Sequence, residues 1–461
     1  MKINIKKLVL IFLIFFGVNF VAIFFYKNLD NFLKINFNLN RLTIFFDILI
    51  YFIAVFFFYT KVSNDKILNL FKKLKKSLKK DYLNLFICLL IFFLGIYYFK
   101  LSQMELNRDL FYPRTIYGFI KYIAVRIEKI HFFYGFLLTL TYLLSYRLLR
   151  FSLNKYLAII ASIFFVTSEI HLYNLIPSIE RDYFKVIILL IVSLFLIFIF
   201  RANNLDKKKF FYYILAFFIG ICLTVRNDIL IYIIPMIISV FFQLNKPFKF
   251  SLIFIIITFC SFLMVPDRGG GIGGTLTDSM SIVLYTGLMN NFSFLMGQSN
   301  NYFISNINEQ PLVEYYLSTI NNNYILVYIK YVLTFCFDFI LKLIFSANQI
   351  LNLFYVYSDA PIMLEKIYFP IYEIKNIFLG KLIGYGSIFF LASIIFLKKN
   401  FNEVKHYYLF IAYILFLIFT PVIYFFLRHY FHLEIISIWS LFYLMQCLFS
   451  ILINEFKKKY N

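Results

Sequence analysis

Apolar residues arrive along this chain in blocks, separated by short polar gaps. The blocks fall near residues 8–26, 43–60, 83–99, 132–149, 156–173, 184–200, 210–225, 228–243, 250–266, 325–346, 377–397, 407–426 and 435–453. Each runs about 16 to 22 residues, the length a helix needs to cross a bilayer core. Backbone groups in hydrocarbon must be satisfied within their own segment, so the blocks predict helices. The expected fold class is all-α: a polytopic transmembrane helical bundle, with short surface helices on the outer-face loops.

The gaps set the orientation. Lys2, Lys6 and Lys7 place the start inside, and Met1 to Tyr26 reads as an uncleaved signal anchor, with no small-residue cleavage site after it. The stretch from Lys61 to Lys80 then falls inside, as do Arg147/Arg150/Lys155, Arg201/Lys207/Lys208/Lys209 and Lys246/Lys249. Four consecutive even gaps obey the positive-inside rule. Thirteen spans would strand Lys398/Lys399/Lys405 and Lys457/Lys458/Lys459 outside, so region 267–376 is expected to cross an even number of times, for 12 or 14 spans. Both ends are then cytoplasmic, and the expected location is the inner (plasma) membrane. Three sections result: an N-terminal transmembrane module over 1–266 with the first large outer loop at 100–131, an outer loop and surface-helix region over 267–376, and a C-terminal transmembrane module over 377–461.

Composition supports this class. Of 461 residues 62% are hydrophobic, with a mean hydropathy of +0.81, where soluble domains stay nearer half apolar. The net charge of +22 suggests nucleic acid at first sight. Most lysines, however, cluster in the gaps, densest at Lys72, Lys73, Lys75, Lys76, Lys79 and Lys80, where topology and anionic lipid account for them. No nucleic-acid partner is expected. Cys88, Cys222, Cys260, Cys336 and Cys447 stand singly inside apolar blocks, which supports neither a disulfide framework nor a zinc site.

Arginine changes the picture. The chain has 11 Arg against 34 Lys, and eight of the 11 fall on the expected outer side: Arg41, Arg108, Arg114, Arg126, Arg181, Arg226, Arg268 and Arg428. Topology alone predicts the reverse. A planar guanidinium fork matches phosphate or carboxylate, so this bias points to an anion handled outside. Acids accompany these arginines: Glu105, Arg108 and Asp109 in one segment, Glu180, Arg181 and Asp182 in another, then Arg226, Asn227 and Asp228. A carboxylate at the membrane surface can be partly desolvated and still reach a polar substrate, as a general base must. Glu180 and Asp182 equally suit the first turn of a helix, and Arg226 to Asp228 suit a solvated hairpin turn. Arg428, His429, Tyr430, Phe431, His432, Leu433 and Glu434 bring two of the five histidines together beside Arg and Glu. The run Arg268 to Gly274 lacks the GK[ST] ending of a phosphate loop and reads as a flexible segment. Asp338 and Lys342, one helical turn apart, read as a structural ion pair.

With these residues in place, the chain resembles the GT-C superfamily of integral membrane glycosyltransferases. The likeness rests on the acid-bearing outer loop, the short outer segment Pro177 to Tyr183, the stretch Gly220 to Asp228 leading to Pro235, and Arg428-His429-Tyr430-Phe431 before the last span. The resemblance implies a polyprenyl-phosphate-linked sugar donor, a glycan, lipid or protein acceptor, and inversion at the anomeric carbon. It implies Asp109 as general base with Glu105 second, or Asp30 if 27–42 is the first outer loop. Arg226, Arg428 and His429 would bind the donor phosphate, supported by Glu180, Arg181, Asp182, Asp228, Arg108 and Glu434. No Asp-x-Asp pair stands here, so no metal is implied, and no cofactor is expected. A surface polysaccharide polymerase or ligase shares many of these features, but usually gathers its arginines in two large loops where here they spread over six segments. A flippase or transporter would show internal repeats and charges at mid-membrane. Cysteines introduced at Lys399 and Lys458 are expected to react with an impermeant maleimide only after the cells are opened; labelling of intact cells would overturn the threading.

Overall fold

Helices form close to where the apolar blocks place them. The structure, a computed structural model, describes residues 82–102, 130–175, 180–201, 205–222, 232–263, 336–355, 379–382, 384–401, 403–420 and 430–460, with isolated positions at 329, 332, 333 and 377. Their order is α1 (Tyr82–Ser102), α2 (Ile130–Leu149), α3 (Lys155–Val166), α4 (Glu169–Asn174), α5 (Glu180–Arg201), α6 (Leu205–Cys222), α7 (Ile233–Gln243), α8 (Pro247–Leu263), α9 (Cys336–Asn352), α10 (Gly386–Leu397), α11 (Val404–Phe419) and α12 (Glu434–Tyr460). Short 3-10 turns occupy Gly380–Leu382, Lys398–Asn400 and Phe431–Leu433. No strand occurs among the described residues. Three helical stretches, His131–Leu149, Tyr183–Arg201 and Phe431–Ile453, are long and apolar enough to cross a membrane. The blocks at 8–26 and 43–60 lie outside the described residues.

Two apolar blocks that hydropathy reads as continuous are broken. Block 156–173 stops at Val166 and resumes as α4; Thr167, which caps the end of α3, bonds back to the Ile163 carbonyl through both its N–H (3.0 Å) and its hydroxyl (2.8 Å). Ser168 then offers its carbonyl to Leu172 N–H at 3.0 Å and starts α4. Block 377–397 is interrupted at Gly384, which takes φ +90°, a left-handed conformation that favours glycine. The Asn352 side-chain oxygen accepts from the N–H groups of Gly384 (2.9 Å) and Gly386 (3.2 Å), so the interrupted backbone is satisfied from the end of α9. Block 228–243 yields a shorter helix, α7, and α9 runs to Asn352 where the pattern ends at 346.

α12 is the post of the assembly. It packs against α3, α9 and α10, and bonds along its length hold it in register. Ser393 donates to the Ser440 carbonyl (2.7 Å), Tyr443 to the Phe396 carbonyl (3.1 Å) and the Trp439 indole to Ser152 (2.8 Å). Gln446 both accepts from Asn154 N–H (2.6 Å) and donates to the Ser152 carbonyl (3.0 Å), clamping the α2–α3 turn. Asn154 also caps α3 through Leu157 N–H at 3.0 Å. α1 packs on α2, which itself packs on α3 and α5, and Gly95 and Gly135 let the first pair of backbones approach; a Cβ on Gly95 would meet Gly135 Cα at 2.8 Å.

A Cβ on Gly386 would overlap the Leu351 carbonyl and crowd the Asn352 side-chain oxygen at 2.9 Å. Gly386→Ala is therefore expected to cost about 1–3 kcal/mol, as overpacking does, read as a lower thermal midpoint in detergent, whereas Gly384→Asn, which tolerates a left-handed backbone, should cost less.

Candidate functional site

The first turn of α12 gathers the ends of other helices. Glu434 opens that helix and is fully buried. Its carboxylate accepts from the Ser168 hydroxyl at 2.9 Å, the residue standing between α3 and α4. It also meets His171 Nε2 of α4 at 3.5 Å, with neither side chain exposed. That separation exceeds an ordinary N–H···O bond of about 2.7–3.2 Å, so the contact is chiefly electrostatic. Phe165, Phe431 and Tyr183 wall the His171 ring, with centroids at 4.1, 5.1 and 5.9 Å. Such a pair is stable away from water as carboxylate with imidazolium, or as neutral acid with neutral imidazole. Both states carry no net charge, and the position of one proton separates them.

Two further contacts extend the cluster. His432 Nε2 lies 3.0 Å from the Tyr232 hydroxyl, at the start of α7, and its ring stacks on Tyr430 at 6.2 Å. Ser437 accepts from Phe354 N–H (3.2 Å), just past the end of α9, while donating to the Glu434 carbonyl (2.8 Å). Residues 430–437 thus tie down the α3–α4 break, the start of α7 and the end of α9. Tyr430 also donates to the Thr420 carbonyl at 3.4 Å, bringing together the two ends of segment 421–429. Lys185, on α5 two residues beyond Tyr183, is a further buried ionisable group, 3% exposed.

Of the residues singled out by sequence, Glu434 is the one whose surroundings are fully placed. It lies at the centre of a buried polar cluster. Glu180, Arg181 and Asp182 form the first turn of α5, the placement that a helix dipole favours for acids. Glu105, Arg108, Asp109, Arg226, Asp228, Arg428 and His429, with Asp30, lie outside the described residues. Asp338 and Lys342 lie on α9, with their side chains outside the described set.

Sequence reasoning passed over Ser168, His171 and Tyr232. The usable signal was His171 inside an apolar block, since an ionisable residue within a spanning segment marks function or a specific partner. Ser168 and Tyr232 give no such signal, because hydroxyl residues are frequent in apolar helices. A carboxylate and an imidazole in contact, shielded by aromatic rings, can hold or pass a proton. Among the described residues, no group of three or more His, Cys, Asp or Glu side chains is arranged to hold a metal ion. Comparison with protein-family models, with curated proteins and with solved structures finds no match.

A buried pair loses about 3–5 kcal/mol when one partner is removed, and far less when both become apolar. His171→Leu and Glu434→Leu are each expected to lower the thermal midpoint strongly, and the double variant to recover much of the loss. A double-mutant cycle should show coupling above about 1 kcal/mol; strictly additive losses would mean that the two side chains do not stabilise each other.

Proposed function

We propose that this chain is a membrane-embedded glycosyltransferase that moves a sugar from a polyprenyl-phosphate donor to an acceptor on the outer side of the membrane. The observation that carries the reading is the convergence of helix ends and ionisable side chains on one turn, Phe431 to Ser437. Along α12 that turn stands roughly 18 Å from the clamped α2–α3 turn at Gln446, at about 1.5 Å per residue. α3 and α10, with 12 residues each, and α7, with 11, are equally short. A hydrocarbon core is about 30 Å thick, so these helices end inside it or beside a cavity that replaces part of it. Irregular backbone at that depth is tolerated only when buried in protein or lining such a cavity. A polar floor of this kind is what transfer from a lipid-linked donor needs.

The chemistry follows from charge. As the lipid phosphate departs, negative charge builds on its oxygens, and preplaced cations stabilise that charge most when it is greatest. Arg226, Arg428 and His429 are assigned that role. Asp109 takes the acceptor's hydroxyl proton, with Glu105 or Asp30 in reserve, and attack from the opposite face inverts the anomeric carbon. Arg428 and His429 immediately precede the turn anchored by His432 and Glu434, so a firm anchor at that turn suits a phosphate-holding segment beside it.

A second reading has one observation in its favour. Buried acid–imidazole pairs at membrane depth mark proton relays in transporters, and His171–Glu434 is such a pair. One experiment separates the two. Purified protein in liposomes, incubated with a panel of radiolabelled polyprenyl-phosphate sugars and acceptor lipids, is expected to yield labelled glycan product. Asp109→Asn should abolish transfer while leaving the protein monodisperse. Movement of the intact donor between leaflets without product would favour a flippase, and near-normal transfer by the variant would remove Asp109 as base.

A further inference from the structure

A second polar cluster lies at the opposite end of α7 and has no part in the proposed transfer. Gln243, the last residue of α7, is 8% exposed. Its side-chain oxygen accepts from Lys208 Nζ of α6 at 2.8 Å and lies 3.2 Å from His406 Nε2 of α11. These distances settle the donors. An ammonium carries donors only, so the shared Gln243 atom is oxygen, and His406 Nε2 must then bear a hydrogen to bond it. The neutral ring therefore has its free lone pair on Nδ1, where a second proton would go.

The surroundings decide how welcome that proton is. From α5, the Phe200 ring stacks on His406 at 5.7 Å, and the next residue, Arg201, is held over Phe151 at 4.4 Å. From α6 comes the Lys208 charge, and from α7 the uncharged Gln243. On the α11 side, Glu403 lies 3.8 Å from His406 Nε2 and is itself bound by Lys405 at 2.9 Å. Burial pushes the His406 imidazole below its ordinary value of 6.5, opposed by Glu403 and reinforced by Lys208 and Lys405. Burial likewise lowers the Lys208 ammonium. The hydrogen bond from Lys405 chiefly holds the Glu403 carboxyl below its usual range, so Glu403 stays anionic as His406 titrates.

We propose that Gln243, Lys208 and His406 form a proton-sensitive latch that fastens the end of α7 to α6 and α11, closed at neutral pH and released when His406 takes a second proton. Release follows because a second proton puts a positive charge on a buried ring beside the Lys208 ammonium, around an oxygen that both already share. The sign is set by linkage: the closed state disfavours the protonated ring, so it binds fewer protons than the open state, and falling pH moves the balance towards open. Above the ordinary imidazole value both states hold the ring neutral and the latch stays shut. α7 is a single short helix whose other end carries Tyr232, bonded to His432 in the candidate site. A latch at Gln243 therefore acts on the element that supports that site, whatever reaction the site performs.

Spin labels test the latch directly in the full chain. Phe242 of α7 and Tyr408 of α11 are both well exposed, at 65% and 61%, and accept labels in a background with Cys88, Cys222, Cys260, Cys336 and Cys447 replaced by alanine. In nanodiscs, lowering the pH from about 8 to about 5.5, across the imidazole range, is expected to populate a longer interlabel distance. The open-to-closed ratio should rise by up to about tenfold per pH unit, the limit for one proton. His406→Phe, which keeps the stacked ring, should remove the response. Glu403→Gln, at a half-exposed position that leaves packing intact, should move the midpoint to lower pH, because Glu403 lies three residues from His406 and favours the imidazolium in the open state as well as the closed. A distance independent of pH, a response that survives His406→Phe, or a Glu403→Gln midpoint that stays or rises would each overturn the proposal. Should His406→Phe fail to fold, the direction of the Glu403→Gln shift decides alone.

Discussion

Backbone polar groups freed where an apolar helix breaks have no water to turn to, and each one left unpaired costs several kcal/mol in hydrocarbon. This bundle contains such breaks at Thr167–Ser168, past the end of α9 and at Gly384. Their partners are placed locally and economically. Thr167 bonds back to Ile163, Asn352 takes both Gly384 and Gly386, and Ser437 takes Phe354. Ser168 at its break and Tyr232 at the start of α7 are met by Glu434 and His432. The first turn of α12 is thus required by the elements around it: without acceptors there, α3, α7 and α9 would lose the ties that set their ends.

An acid serves in this place for a reason that a neutral acceptor does not share. A carboxylate has two oxygens and about four lone pairs, so it can take the Ser168 hydroxyl on one oxygen and face His171 with the other. A glutamine could do the first but would turn an amide against the ring. The arrangement is tolerable in a buried site because acid and imidazole together stay neutral, and the aromatic walls of Phe165, Phe431 and Tyr183 leave the pair to itself. The same features that make the pair affordable make it responsive, since one proton can sit on either partner.

Much of the helical plan was legible in the hydropathy pattern. α1, α2 and α5 begin and end within a few residues of their blocks, and α12 starts at its block and runs seven residues past it, because length and uninterrupted apolarity are the whole signal for a spanning helix. The breaks at Thr167 and Gly384 were not legible, since threonine and glycine occur freely inside apolar helices, and Gly384 is met by Asn352, a partner distant in sequence. Glu434 was legible as a residue of interest from its place beside Arg428 and two histidines, but its environment was not. A polar run between two apolar blocks reads as exposed, and only three-dimensional packing reveals that α4 folds back over it. His171 hid in the same way, within a block whose average hydropathy masks a single imidazole.

α7 connects the two polar clusters, and its position explains why they can be coupled. One end meets His432 through Tyr232, the other meets His406 and Lys208 through Gln243, and between them the buried face of the helix carries Met236, Ser239 and Val240. A helix this short moves as a unit, because bending it would sacrifice hydrogen bonds that the surroundings cannot replace. Its attachment at each end is a small number of hydrogen bonds, each worth about 0.5–1.5 kcal/mol net. On the proposed latch, loss of the attachment at Gln243 is comparable in size to the strength of the one at Tyr232, so the shift of a single proton would redistribute the helix between positions. Coupling of this kind needs no chain of contacts through the core; it needs one rigid element held weakly at both ends, which α7 is.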